Sequence, residues 1–494
     1  MRRDGVEPNI VSYTSVMDAY ASSSTRHNKA AQDAERVLFD LLEEQQTRNC
    51  NNRQRLKVTS ITCDVVLKAW ANQGDMKGAE RAEEILTRLE QMQNDDIRPT
   101  IISYGTVVHA WASCNGGVPA AETAEAILTR MLFPSSPVKP DTVIFNSVIN
   151  AWANSRSPQM AQKASELLKQ MQKLHNPRKG YQTAPDQRTY NAVLAAWSRS
   201  DESNAAVETE RILKEMQDAY KKAPKEAPAP NTVSFNSVLH AWSRSNLPGA
   251  LNRAQAVLEF MIKSNKPDIA PDVISFTSVL NALAKSKEPD KAPRARKLLD
   301  TMIKMHQISK RPTLEPSQIP FNAVLNACAF SALDTTDEEK QVALKVAVST
   351  FSELCIRACP DTVSYGNLMK TYRTLMKPGK KRNEVALQLF DRCCKEGLVG
   401  ELVWTETCRT VKAKDLQMHL GLVKGPGQIL LKDLPKPWTN NVRGDKLAAR
   451  RRTQTEAKRR DQQKREQTTV KKKQVPAIRF RNILEPSYQS GKDL

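Results

Sequence analysis

Apolar and polar residues follow one rhythm along this chain, and the rhythm returns nine times. Its clearest copies place Phe145, Val148, Ile149 and Trp152, or Phe235, Val238, Leu239 and Trp242, at i, i+3, i+4 and i+7. That spacing puts four side chains on one face of an α-helix. Pro and a short polar residue stand just upstream, as in Pro140-Asp141 and Pro230-Asn231, and both suit a helix start. A second amphipathic stretch follows in most copies, for example Ala79, Ala82, Leu86, Leu89 and Met92, or Ala161, Ala164, Leu168 and Met171. Polar loops such as Asn154-Ser155-Arg156-Ser157-Pro158 separate the two. The small Ala positions let paired antiparallel helices approach closely. Neither helix can bury its apolar face alone, so the copies must stack on one another. The pattern predicts an all-α fold: an α-solenoid of helix-turn-helix repeats.

The residue after the aromatic gives each copy a fixed address. These anchors are Thr14, Asp64, Gly105, Asn146, Asn191, Asn236, Thr277, Asn322 and Gly366, recurring 41 to 50 residues apart, with Cys63 replacing the aromatic in copy two. Trp70, Trp111, Trp152, Trp197 and Trp242 share one repeat position on the apolar stripe. That placement predicts interior packing, not stacking platforms for bases.

Charge narrows the partner. The 494 residues carry a formal net charge of +21, which favours a polyanion, nucleic acid ahead of an anionic membrane surface. No run approaches the roughly 18 apolar residues of a membrane span. The nine Cys include no Cys-x-x-Cys pair, and Cys355, Cys359, Cys393 and Cys394 fall on predicted helices, which suits reduced core thiols.

Chemistry is sparse. The six His are scattered, and none begins the His-x-Glu…Pro-Cys-x-x-Cys pattern of zinc deaminases. There is no Gly-x-x-x-x-Gly-Lys-Ser/Thr loop, and the residues past 400 hold too few acids for a carboxylate–metal nuclease site. The expectation is a protein with no catalytic residue, no metal and no cofactor.

Residues 1–9 read as the end of a repeat, because Met1 precedes Pro8 by seven positions as Met92 precedes Pro99. The expectation is that sequence upstream is missing. Residues 10–400 are the array of about nine repeats. Residues 401–435, with Leu402-Val403-Trp404 and the stretch 411–422, form a closing helix and a linker. Residues 436–494 form a basic tail expected to be disordered; over 436–473 it holds 14 Lys or Arg against 4 Asp or Glu.

Val143-Ile144-Phe145-Asn146, Val148-Ile149, Ala151-Trp152, then the Ala, Leu and Met spacing, then Pro-Asp, together resemble the pentatricopeptide repeat. The resemblance covers roughly residues 1–400, and these copies are longer than the family's usual unit. It implies a right-handed superhelix that binds single-stranded RNA, one base per repeat. The reading pair would be the anchor and the residue after the Pro that opens the next copy. Copies four to eight would therefore use Asn146 with Asp186, Asn191 with Asn231, Asn236 with Asp272, Thr277 with Ser317, and Asn322 with Asp361. The implied preference is 5′-U-Y-U-R-U-3′, whereas Thr14, Asp64, Gly105 and Gly366 are assigned no base.

The resemblance also implies that bases are sandwiched by Val143, Val233, Ile274 and Ile319, three residues before their anchors, with Val11, Ile61, Ile102 and Val363 in the same series. Arg188 takes that place in copy five and would stack through its guanidinium. Arg199, Arg244 and Lys285 would meet phosphates. His109 and His240 share a polar first-helix position and would line the groove or face solvent. Family membership further implies work on organellar transcripts, in a mitochondrion or plastid, affecting processing, stability or translation. A ribosome or other RNA-processing proteins would be further partners. The alternative is a solenoid scaffold with non-specific rRNA contacts. For a single copy, a polar anchor is also explained by capping or solvating its helix.

Overall fold

The computed structural model describes residues 9–442, apart from 24–28, 48–56, 93, 176–181, 265, 289, 332–335, 422–430 and 432–433. Residues 1–8 and the runs around Arg450, Arg459 and Lys472 lie outside the described residues. Among the described residues every regular element is helical. The chain forms two units, one of residues 1–248 with 264–270, the other of 249–263 with 271–494.

In the first unit, each copy pairs an odd-numbered first helix with an even-numbered second helix. The pairs are α1 (Ile10–Ser23) with α2 (Ala30–Thr47), α3 (Ser60–Ala71) with α4 (Met76–Gln91), and α5 (Ile101–Ser113) with α6 (Gly117–Leu132). They continue with α7 (Thr142–Asn154) and α8 (Met160–Leu174), then α9 (Gln187–Arg199) and α10 (Ala205–Lys222), and the unit ends its first-helix row at α11 (Thr232–Arg244). Successive first helices lie side by side, and each second helix packs against its own first helix and, in most copies, the next. The second unit holds α12 (Ala250–Ser264) and repeats this pairing with α13 (Val273–Lys285), α14 (Lys291–Ser309), α15 (Gln318–Ala329), α16 (Asp337–Arg357), α17 (Thr362–Leu375) and α18 (Lys380–Glu396). The α-solenoid expected from the repeat is the fold observed.

Local sequence explains the helix starts. Asp141, Asp186, Asn231, Asp272 and Asp361 sit in extended backbone, and their side chains accept the backbone N–H three residues on. An acceptor there satisfies one of the donors that a helix leaves unpaired at its first turn. From copy three onward the aromatic before the anchor is buried, including Tyr104, Phe145, Tyr190 and Phe235 in the first unit and Phe276, Phe321 and Tyr365 in the second. Ala79, Ala82, Ala161 and Ala164 are buried where helices meet.

The five Trp are interior as expected, but each also makes a polar contact across copies. Trp70, Trp111, Trp152 and Trp242 donate Nε1–H to Glu35, Glu83, Glu125 and Glu210 at 2.9–3.0 Å, and Trp197 donates to Ser165 Oγ at 2.7 Å. Each acceptor lies on the second helix of the preceding copy. A buried indole N–H needs such a partner. Burial holds the Glu83 carboxyl above its ordinary range, with the Arg130 charge opposing the shift.

Past copy nine, two helices close the second unit: α19 (Glu401–Thr410) and α20 (Ala413–His419). In α19, Trp404 is buried at the position of the repeat aromatic, so its first turn continues the pattern as a tenth first helix. A short 3₁₀ turn, Lys436–Trp438, packs on α18, with the Phe390 and Trp438 rings 5.9 Å apart. Val399 N donates to Trp438 O at 2.9 Å and Asn441 N to Gly397 O at 2.8 Å. Residues 436–442 thus belong to the folded body although composition assigns them to the tail. Cys359, expected on a helix, lies beyond the end of α16 and is exposed. Cys63 and Cys328 are buried, and desolvation pushes both thiols up to about 12. No described helix is long and apolar enough to cross a membrane.

Candidate nucleic-acid interface

The first turn of each first helix presents one side chain that the core does not take. Val11, Ile61, Ile102, Val143 and Val233 in the first unit, and Ile274, Ile319 and Val363 in the second, are between 43% and 69% exposed. Arg188 holds the same place in copy five and is exposed as well. Burying a Val or Ile side chain is worth roughly 1.5–3 kcal/mol. One exposed branched residue needs no explanation; a series at a fixed address does. Folding alone gives no reason to keep it apolar.

Beside that stripe stand the anchors. Asn146, Asn236 and Asn322 are largely buried on α7, α11 and α15, and Asn191 is half-buried on α9. In copy four, Asn146 Nδ2 donates to Asp186 Oδ1 (3.1 Å), while Thr189 Oγ1 donates to Asn146 Oδ1 (2.6 Å). Copy five repeats the motif with Asn191 Nδ2 to Asn231 Oδ1 (3.4 Å) and Ser234 Oγ to Asn191 Oδ1 (2.7 Å). Copy eight repeats it with Asn322 Nδ2 to Asp361 Oδ1 (3.0 Å) and Ser364 Oγ to Asn322 Oδ1 (2.6 Å). These three pairs from the sequence are in direct contact. Their second members also cap helices, so capping and pairing are performed by the same side chain.

The other pairs differ. Asn236 lies in the first unit and Asp272, the cap of α13, in the second. Thr277 gives its hydroxyl to Val273 O on its own helix (2.7 Å), and Ser317 accepts from Ile319 N (3.4 Å) as the cap of α15. In copy two the Ser103 hydroxyl donates to Asp64, whose carboxyl is held above its ordinary range by burial, the hydrogen bond opposing.

The two Gly anchors are not equivalent. A Cβ on Gly105 would have Ile144 Cγ1 as its nearest neighbour at 3.9 Å, an ordinary contact. On Gly366 it would fall 2.5 Å from Leu402, which covers the empty anchor position from α19. Gly105→Ala should therefore stabilise the first unit by about 0.5–1 kcal/mol through helix propensity. Gly366→Ala should not gain, since overpacking costs about 1–3 kcal/mol. Guanidinium midpoints of the two variants, read against the wild type, check this.

The three cations assigned to phosphate are exposed at the ends of first helices. Arg199 Nη1 bonds Asn154 Oδ1 (3.1 Å) and Ala153 O (3.4 Å), both at the end of α7. Arg244 pairs with Asp201, and Lys285 stands in the last turn of α13. Arg199 and Arg244 are thus partly spent on neighbouring copies, which the sequence does not reveal. His109 is exposed, within 3.4 Å of Ser113 Oγ, and His240 is half-buried.

No group of three His, Cys, Asp or Glu among the described residues could hold a metal ion. A cavity in the first unit, lined by Glu35, Arg36, Trp70, Asp75 and Arg81 among others, uses its two acids internally, Asp75 as the cap of α4. There Glu35 accepts from Trp70 and pairs with Arg81.

A family model for the pentatricopeptide repeat domain matches residues 47–113, which span the α3–α4 hairpin and all of α5. Paired helices of this kind recur in both units. The family match covers 67 of the chain's 494 residues. Among solved structures the chain is similar to the pentatricopeptide repeat protein PPR10 from maize, at 16% identity and a TM-score of 0.26, covering 85% of this chain and 69% of that one. No curated protein matches it. The exposed stripe and the anchors lie near the starts of the first helices.

Proposed function

We propose that this chain is a sequence-selective, single-stranded RNA-binding protein that reads one base with each of copies four to eight and performs no chemistry on the strand. The observation that carries the reading is the branched residue kept exposed at one address beside a hydrogen-bonded polar pair. A base inserted between two such residues would bury both apolar faces and meet the pair with its Watson–Crick edge. In copy four, the contacts within the pair occupy one amide proton of Asn146 and Oδ1 of Asp186. A donor and an acceptor then remain side by side, which complements a carbonyl next to N3–H on uracil. In copy five Asn231 has its oxygen engaged and keeps an amide proton, so that copy offers donors to a pyrimidine. The preferred strand is 5′-U-Y-U-R-U-3′ across copies four to eight.

Arg199, Arg244 and Lys285 contribute phosphate contacts that hold the strand in register. The site of action is an organelle, mitochondrion or plastid, where the protein protects or presents a transcript and meets a ribosome or other processing proteins. Competition binding tests the reading. The 5′-U-Y-U-R-U-3′ strand should outcompete its scrambled versions by at least about tenfold, since each well-read base is worth about 1–3 kcal/mol. Equal competition would remove the reading and favour a protein scaffold whose RNA contacts are non-specific.

A further inference from the structure

Thr189, Ser234 and Ser364 share an address, three residues after the helix-capping Asp186, Asn231 and Asp361. We infer that these hydroxyls are positioning residues for base recognition, each fixing which way the anchor amide of the preceding copy faces. The inference rests on the RNA reading proposed above and deepens it.

An Asn amide can be turned over, exchanging its donor and acceptor ends. The hydroxyl removes that freedom. Thr189 Oγ1 accepts the backbone N–H of Asp186 at 3.0 Å, so its single proton points away from that bond. The acceptors it meets are Asn146 Oδ1 at 2.6 Å and Asp186 Oδ1 at 2.9 Å. With its oxygen engaged, the Asn146 amide must offer N–H toward Asp186 and toward the groove. Turned over, it would set N–H against the hydroxyl proton and oxygen against carboxylate. Ser234 and Ser364 make the same pair of contacts, accepting from Asn231 N at 3.3 Å and Asp361 N at 3.1 Å while donating to Asn191 and Asn322.

The hydroxyl closes a capping box at its own helix start, but capping does not require it. Asp141 caps α7 through Ile144 N at 3.0 Å, and Ser317 caps α15 through Ile319 N, with Ile144 and Pro320 rather than a hydroxyl at that address. What changes with the hydroxyl is the preceding anchor. Asn146, Asn191, Asn236 and Asn322 are followed by Thr189, Ser234, Ser275 and Ser364, and Asp64 by Ser103. Gly105 and Gly366, which have no amide to orient, are followed by Ile144 and Val403, and Thr277 by Pro320; Thr14 departs from this, being followed by Thr62. The address carries a hydroxyl wherever the anchor has a planar polar group.

The test uses the full chain and four RNAs that differ only at the base opposite copy four. Wild type, Thr189→Val and Thr189→Ser are compared by binding competition and by thermal melting. Val keeps the shape and loses the hydroxyl, so preference for uracil at that single position should fall by at least about fivefold, other positions keeping theirs. Ser should restore it. Ser234→Ala, read at the base opposite copy five, supplies the same measurement if Thr189→Val does not fold. Unchanged preference in the hydroxyl-free variants, or an even loss of affinity for all four RNAs, would overturn the inference. A wild type that binds all four alike would instead remove the RNA reading itself. A discriminating wild type with an equally discriminating Thr189→Val removes only the role of the hydroxyl.

Discussion

Trp152→Ala should cost the first unit about 3–5 kcal/mol, the range for deleting a buried aromatic. The Trp152 side chain is 2% exposed on α7, between α6 and the rest of its own copy. Its removal leaves a cavity and strips the Glu125 carboxylate of an N–H donor at 2.9 Å, leaving Lys163 at 3.1 Å as its partner. Because stacked repeats depend on their nearest neighbours, the loss should concentrate in copies three and four. Hydrogen exchange should report faster opening of α5 to α8 and little change in the second unit. Protection spread evenly through the chain, or a change below about 1 kcal/mol, would contradict this account of the core.

The opposite behaviour is expected at the exposed stripe. Replacing Val143, Val233, Ile274 and Ile319 together by Asp should leave the fold intact, because these side chains are 53–65% exposed. Such surface changes usually cost within about 0.5 kcal/mol each, and an acid in the first turn of a helix suits its dipole. RNA affinity should nevertheless fall at least about 100-fold, since base stacking is worth roughly 1–3 kcal/mol per base and the new charges repel phosphate. Filter binding beside circular dichroism separates the two effects. A quadruple variant that binds RNA as the wild type does would remove the stripe from the interface.

These two experiments divide the apolar positions of the repeat by what they are for. Phe145, Val148, Ile149 and Trp152 lie on the helical face that period and spacing select, and all four are buried. Val143 belongs to the same helix but falls off that face. Its side chain gains nothing from the core, so an apolar residue kept there points to a partner. The capping residues were equally legible, because Asp or Asn after Pro at a helix start satisfies a local donor within three residues. Hence the repeat, its helix starts and the anchors could be read from the order of residues, whereas the stripe was implied by the family resemblance.

The sequence by itself determined the fold class, since a face of period 3.6 that no single hairpin can cover leaves stacking as its solution. It also determined which positions face the core and which do not, because both follow from contacts between residues a few places apart. Tertiary structure alone decided the partners of polar groups: Glu125 for Trp152, Asn154 for Arg199, Thr189 for Asn146, and Leu402 over Gly366. Those partners lie in neighbouring copies, 27 to 45 residues away along the chain. Hydrogen-bond geometry is set within tenths of an ångström by how one copy sits on the next, whereas apolar burial needs only the right face. Direction, unlike burial, is not written in a one-dimensional pattern.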